Sequence, residues 1–429
     1  MKILIKGGRI IDPASGTDAV MDVLVERSGV TKMGKNISSP SAKRLDADGL
    51  IVSPGFIDMH THLREPGRED EETIESGSRS GIAGGFTALV PMANTDPVAD
   101  NVEVINFLNA QAEKHAWTHI YPVGSVTRGL EGKAITEIGE FKEAGAVAIS
   151  DDGRPVVNSK VFTLALDYAS MFGLPIISHC EDVFLTEGGC MNEGLNSTIL
   201  GLPGMPSAAE EIMVARDIAI ARLTGGKVHI AHVSCARSVE LVRAAKRDGV
   251  HVTAETAPHY FSLTDDAVKT YDTNAKMNPP LRTAEDVTAI KEGLRDGTID
   301  SIATDHAPHT QVEKKVAFIE APFGIVGLET CLPLVITRLV NDGVLTLSQA
   351  VAKLTVGPAR ILNLPMGKLE VGARADITVF DPAYEFTVDT STFQCKCRNS
   401  PFNGWRLKGG AVHVIVDGQL RLHDRRLVG

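Results

Sequence analysis

The feature that most constrains this 429-residue chain is a recurrence. Eight short runs of β-branched and apolar residues each break off at a polar or turn-forming residue. They end near Asp58-Met59-His60, Val90-Pro91-Met92, Tyr121-Pro122-Val123, Ile149-Ser150-Asp151, Ile177-Ser178-His179, Ile230-Ala231-His232, Thr253-Ala254-Glu255 and Ala303-Thr304-Asp305. Runs of this length and composition read as buried strands. Amphipathic stretches separate several of them. The clearest helices are 207–223 (SAAEEIMVARDIAIARL) and 236–247 (ARSVELVRAAKR). Ser207 followed three residues later by Glu210 predicts a capping box on the first. Strand and helix alternating in this way predict an α/β fold, a (β/α)8 TIM-type barrel, with a doubly wound open sheet as the alternative. The barrel is preferred because its active sites lie at the C-terminal ends of the strands, where the polar residues of this chain gather.

The two ends of the chain have a different rhythm. Ile3-Leu4-Ile5, Ile10-Ile11 and Val23-Leu24-Val25 are short β clusters punctuated by Gly, Asp and Pro, and Ala375–Phe380 and Val412–Val416 have the same character. We therefore expect a small β-sandwich domain assembled from both termini, residues 1–52 and 367–429, around a catalytic barrel spanning 53–366.

A net charge of −11 argues against nucleic-acid or anionic-membrane partners, which need a basic face. It leaves room for a small anionic substrate, since one local arginine reverses the field inside a pocket. The six cysteines lack zinc-ribbon spacing and read as reduced thiols of a cytoplasmic protein. No signal peptide and no membrane-length apolar run is visible.

At the strand ends the residue types become chemical. His60 and His62 are two apart, so a strand projects both to one side. His179, His232, Asp305 and the pair Asp151-Asp152 end other strands. Singly, each reads as a hydrogen-bonded structural histidine or a helix-capping aspartate. Together at one barrel mouth they form an N/O donor set suited to Zn²⁺, and equally to Mn²⁺ or Co²⁺. Arg64, two residues past His62, would sit beside a cation, which is costly unless an anion joins it. That points to a substrate carboxylate, against the plainer reading of a surface arginine paired with Glu65. Asn94, in PMANTDP, is either a second donor to that carboxylate or a turn residue. The segment 311–327, with Gly324 and Gly327, reads as a lid with glycine hinges or as an ordinary surface loop. Cys180, next to His179, is a soft donor that more often simply packs.

PGFIDMHTHLREPG, HCED, AHVS, ATDHAPH and VGARADITVFD resemble the amidohydrolase superfamily of metal-dependent barrel enzymes over nearly the whole chain. HTHLREPG together with ANTDP is similar to the bacterial (type I) dihydroorotases. The resemblance implies that His60, His62 and Asp305 hold one metal and His179 and His232 a second, with one or two Zn²⁺ per chain. In many relatives a carboxylated lysine on strand four bridges the pair. Here the nearest lysines, Lys142 and Lys160, are too far along the chain, so the bridge falls to Asp152, with Asp151 as the fallback. The resemblance further implies that His62, Arg64, Asn94, Asn278, His309 and the backbone of Phe323-Gly324 contact substrate, and that Asp305 shuttles the proton. The implied reaction is reversible cyclisation of N-carbamoyl-L-aspartate to dihydroorotate in pyrimidine synthesis. Other cyclic amidases, of the allantoinase or hydantoinase type, are the alternative, as is an inactive scaffold for aspartate carbamoyltransferase. A degenerate scaffold usually loses its metal histidines, and this chain keeps them. Homo-oligomers and an assembly with the transferase are both compatible with the resemblance.

Overall fold

A computed structural model describes residues 2–429. The eight expected strands are present: β1 (Phe56–Thr61), β2 (Phe86–Pro91), β3 in two pieces (His119–Ile120 and Val123–Gly124), β4 (Ala148–Ile149), β5 (Ile176–Ser178), β6 (Val228–Ile230), β7 (Val252–Thr256) and β8 (Ser301–Ile302). Neighbours pair in parallel, β1 to β2 to β3 and then β3 through to β8. The ring closes between β8 and β1. Thr61 bridges His306 in parallel, and His62 N donates to His306 O at 2.8 Å. Asp58 reinforces the seam by accepting from Thr304 N and Oγ1.

Parallel strands covered on both faces need apolar side chains on each. One cluster takes Met59, Val90, Val123, Ala148, Ile177, Ala231 and Ala303 from seven of the strands and fills the barrel's interior. A larger cluster joins the outward residues, such as Ile149, Ile176, Ile230 and Ile302, to the surrounding helices.

The predicted helices form at Ala208–Thr224 and Ala236–Arg247. The capping box does not. Ser207 lies in helical backbone and makes no side-chain cap. Glu210 is instead buried, accepting from the backbone N–H groups of Ser234 and Cys235 at 3.1 Å each and from the Ser234 hydroxyl. It thus braces the entry to the next helix, Ala236–Arg247, whose own N-cap residue, Cys235, makes no side-chain cap. Sequence spacing could not foresee a carboxylate spent on a neighbouring helix.

Strands from both termini join in one nine-stranded sheet curled over its own core of Ile3, Ile5, Ile10, Val23, Val25, Ile377 and Ile415. Its N-terminal share runs slightly past the expected boundary at 52. The strand Ile51–Pro54 pairs with both Lys2–Asp12 and Ile377–Thr387, and Gly55 N still bonds to Asp376 O. No helix among the described residues is long and apolar enough to cross a membrane.

Candidate metal centre and active site

At the C-terminal mouth of the barrel, Asp152 stands at the centre of four histidines. Its Oδ1 lies 3.3 Å from His60 Nε2, 3.4 Å from His232 Nε2 and 3.6 Å from His179 Nδ1. Its Oδ2 lies 3.5 Å from His62 Nε2. Asp305 Oδ1 completes the group, 3.1 Å from His62 Nε2 and 3.7 Å from His60 Nε2. All six side chains are buried. Asp151 turns the other way, accepting from Val126 N, Thr127 N and the Thr127 hydroxyl, so it braces the loop after β3.

Three of the four imidazoles are held from behind in orientations that turn the other nitrogen toward the cluster. His60 Nδ1 donates to Glu255 Oε1 at 2.8 Å, His62 Nδ1 to Asn94 Oδ1 at 2.9 Å and His179 Nε2 to Glu181 Oε2 at 2.8 Å. Such outer partners fix tautomer and ring angle in metal sites. Glu181 lies within HCED, but neither it nor Glu255 is assigned a role from sequence alone. Glu255 does end β7, as a polar residue at the same mouth. His60 Nε2 and Asp152 Oδ1 are buried polar atoms without a hydrogen-bond partner among the described residues, and both face this cluster. Orphaned donors and acceptors of this kind, with N and O ligands converging, fit a divalent cation.

The electrostatics agree. Burial works against a charged His60 imidazole, yet Asp152 and Glu255 outweigh it and raise its pKa well above the usual value. Burial likewise opposes a charged His179, but Asp152 and Glu181 lift it to about 10. Burial would raise the Asp305 carboxyl, and the hydrogen bond from His62 with the charges of His60, His62 and His232 instead hold it at about 2. The carboxylates thus demand positive charge at the centre, which protons provide when a cation does not.

Three of the site residues sit in left-handed backbone: Arg64 at φ 61°, His232 at 34° and Asp305 at 49°. Non-glycine residues adopt this region at a cost and do so preferentially at functional sites. Each stands just beyond a strand end, where the chain must turn from the sheet while aiming its side chain inward.

Beside the cluster lies a cavity of about 570 Å³, lined by His62, Arg64, Asn94, Asn278, His309, Phe323 and Gly324 along with the metal-facing residues. Arg64 is not the surface partner of Glu65. Its Nε lies 3.1 Å from Glu71 Oε2, while Glu65 accepts from Ile74 N. Arg64 Nη2 is 3.3 Å from His309 Nε2, and His309 Nδ1 donates to Glu71 Oε1 at 2.7 Å. Asn94 spends its oxygen on His62, which leaves its amide hydrogens for the cavity. Asn278 Nδ2 donates to Glu181 Oε2 at 2.8 Å, so it also buttresses His179.

Phe323 and Gly324 are at the rim, but the expectation that both N–H groups face substrate is corrected in part. Gly324 N already donates to Lys276 O at 2.9 Å. Phe323 N has no acceptor among the described residues. Nor is 311–327 a free flap, because Lys314 Nζ donates to the carbonyls of Thr273, Lys276 and Pro322. Cys180 packs, its thiol directed to Asp217 and Ser178. A larger cavity, about 660 Å³, opens at the opposite end of the barrel beside Val228, Val252 and Ile361. Among the described residues no group of acids and histidines able to hold a metal converges there.

Residues 51–421 match the model of the amidohydrolase family. A dihydroorotase of Pelotomaculum thermopropionicum is 55% identical over 425 residues, 99% of each chain. A dihydroorotase of Geobacter metallireducens is 54% identical over 421 residues, covering 98% of this chain and 99% of the relative. Among solved structures, the L-hydantoinase (dihydropyrimidinase) of Arthrobacter aurescens superposes with a TM-score of 0.89 at 25% identity, over 100% of this chain and 97% of that one. The chain belongs to the amidohydrolase family, and within it to the dihydroorotases.

Proposed function

We propose that this enzyme opens and re-forms the ring amide of dihydroorotate, interconverting it with N-carbamoyl-L-aspartate. The observation that carries the reading is the juxtaposition, in one cavity, of the half-buried Arg64 with the Asp152-centred histidine cluster. A cyclic amide whose ring bears a carboxylate matches both halves. The Arg64 guanidinium takes the carboxylate bidentately, with the Asn94 amide and Phe323 N–H beside it. That grip orients the ring so that its amide carbonyl meets the cluster, removing much of the entropic barrier. A neutral hydantoin ring would leave Arg64 without that anion, which is why the hydantoinase reading is weaker despite the shared fold.

In this reading His60, His62, Asp152, His179, His232 and Asp305 would hold one or two zinc ions, with Asp152 central among the ligands. Bound zinc would supply Lewis-acid polarisation of the amide and make water acidic enough to attack near neutral pH. The Asp305 carboxylate takes the water's proton and passes it to the departing amide nitrogen. Ring closure runs the same path backwards. His309, fixed by Glu71, steadies Arg64. With every ligand side chain present, an inactive scaffold role has nothing to support it. A cytoplasmic location, self-association and assembly with aspartate carbamoyltransferase fit this role in pyrimidine synthesis.

The test is dihydroorotate hydrolysis by the purified chain, with metal counted on the same sample. Turnover that is lost on chelation and restored by Zn²⁺ supports the reading. Metal-loaded protein that leaves dihydroorotate intact and opens a hydantoin would overturn it.

A further inference from the structure

The cavity wall is tied to a distant part of the chain. Asn399 lies in the loop that precedes the strand Arg406–Val416, in the C-terminal share of the β domain, yet it is buried against the barrel mouth. Every polar group of its side chain is engaged with backbone of the substrate loops. Nδ2 donates to Ala307 O at 3.0 Å and to Gly324 O at 3.1 Å, and Oδ1 accepts from His309 N at 3.2 Å. Its own carbonyl accepts from Val326 N at 3.0 Å. Asn399 therefore joins two separate loops, 307–309 and 324–326. Asparagine is the side chain of that size with two donors and an acceptor in one plane. Aspartate would lose both donors, and alanine would leave two carbonyls and an N–H buried without partners.

The two loops present His309 and Phe323 to the cavity, and His309 Nε2 lies 2.8 Å from Phe323 O. Arg64 leans on the same structure, with Nε 3.3 Å from Pro308 O. A shift in either loop would move the carboxylate-binding wall while leaving in place Asp152 and the four histidines, which sit on other strands, and Asp305, whose neighbour His306 is tied to Thr304 and His62.

We propose that Asn399 is a positioning residue for substrate recognition, locking the loops after β8 in the register that presents Arg64, His309 and Phe323 N–H to the substrate carboxylate. The proposal rests on the dihydroorotate reading above. It assigns to the β domain a direct part in specificity, and it predicts a defect in KM, not in metal loading or chemistry.

The experiment compares the full-length, zinc-loaded wild type with Asn399→Asp and Asn399→Ala. Kinetics with dihydroorotate are paired with hydrogen–deuterium exchange over 305–326. Each variant is expected to raise KM about tenfold or more, change kcat by less than about threefold, retain wild-type zinc and expose His309 and Val326 amides to faster exchange. A merely structural role would lower Tm and the active fraction, hence apparent kcat, and leave KM alone. Unchanged KM in a folded variant overturns the proposal. If Asn399→Ala does not fold, the near-isosteric Asn399→Asp decides. Wild-type protein that fails to turn over dihydroorotate defeats the substrate reading instead. Exchange then judges Asn399 alone, and protection unchanged by substitution removes it as the lock.

Discussion

At the scale of single residues, the site divides into groups that hold charge at the centre and groups that hold an anion beside it. Asp305 belongs to the first and is also the proposed proton carrier. We expect Asp305→Asn to lose at least about a thousandfold in kcat while retaining zinc, because the amide keeps a ligating oxygen but cannot accept the proton. Near-normal kcat in a zinc-replete variant would remove Asp305 from proton transfer. Arg64→Ala should raise KM about a hundredfold with a smaller change in kcat, since it removes a bidentate contact made before and during reaction. Equal loss of kcat with KM unchanged would place Arg64 elsewhere in the mechanism. A third residue bears on stability alone. Buried His413 accepts from Asp424 N at its Nδ1, and burial, outweighing the attraction of Asp424, lowers its pKa to about 4. Between pH 4 and the ordinary histidine value of 6.5, the unfolded chain therefore binds a proton that the native imidazole refuses. This histidine makes stability rise with pH across that window and fall as pH drops through it. In His413→Gln the acid-side decline in Tm from pH 6.5 to 4 should be shallower than in the wild type, and parallel Tm profiles would contradict it.

At the scale of elements, strand ends were legible and helix caps were not. A parallel strand buried on both faces must be apolar until it leaves the sheet, so the first polar residue marks its mouth whatever surrounds it. That is why His60, His179, His232 and Asp305 could be placed from sequence. Glu210 shows the limit. Its spacing from Ser207 matched a local cap, but the carboxylate reached the N–H groups of Ser234 and Cys235, buried just ahead of helix Ala236–Arg247. Glu210→Ala should cost about 3 kcal/mol, and Glu210→Gln roughly half as much, because the amide oxygen can still accept from those N–H groups. Ser207→Ala should be close to neutral. Thermal unfolding of the three zinc-loaded variants checks the order, and a larger drop for Ser207→Ala would restore the local cap.

At the scale of the whole molecule, the proposed metal site is a cluster of buried charge that joins five of the eight strands, through His60, Asp152, His179, His232 and Asp305. A ligand that binds only the native state adds about 4 kcal/mol when present at a thousandfold above its Kd. Stripping zinc should therefore lower Tm by several degrees and restoring it should reverse the loss. A Tm indifferent to metal would mean the cluster is satisfied by protons alone. The sequence by itself determined the barrel and the β domain from both termini, and it put the candidate ligand residues at strand ends, because those depend on periodicity and on residue type. Only the tertiary structure decided between Asp151 and Asp152 as the residue facing the cluster. It alone placed Glu255, Glu181 and Glu71 behind the histidines and the arginine, committed Gly324 N–H to Lys276, and brought Asn399 ninety residues along the chain to His309. Each of these depends on which groups meet across loops and domains, and a hydrogen bond between distant residues leaves no spacing in the chain to be read.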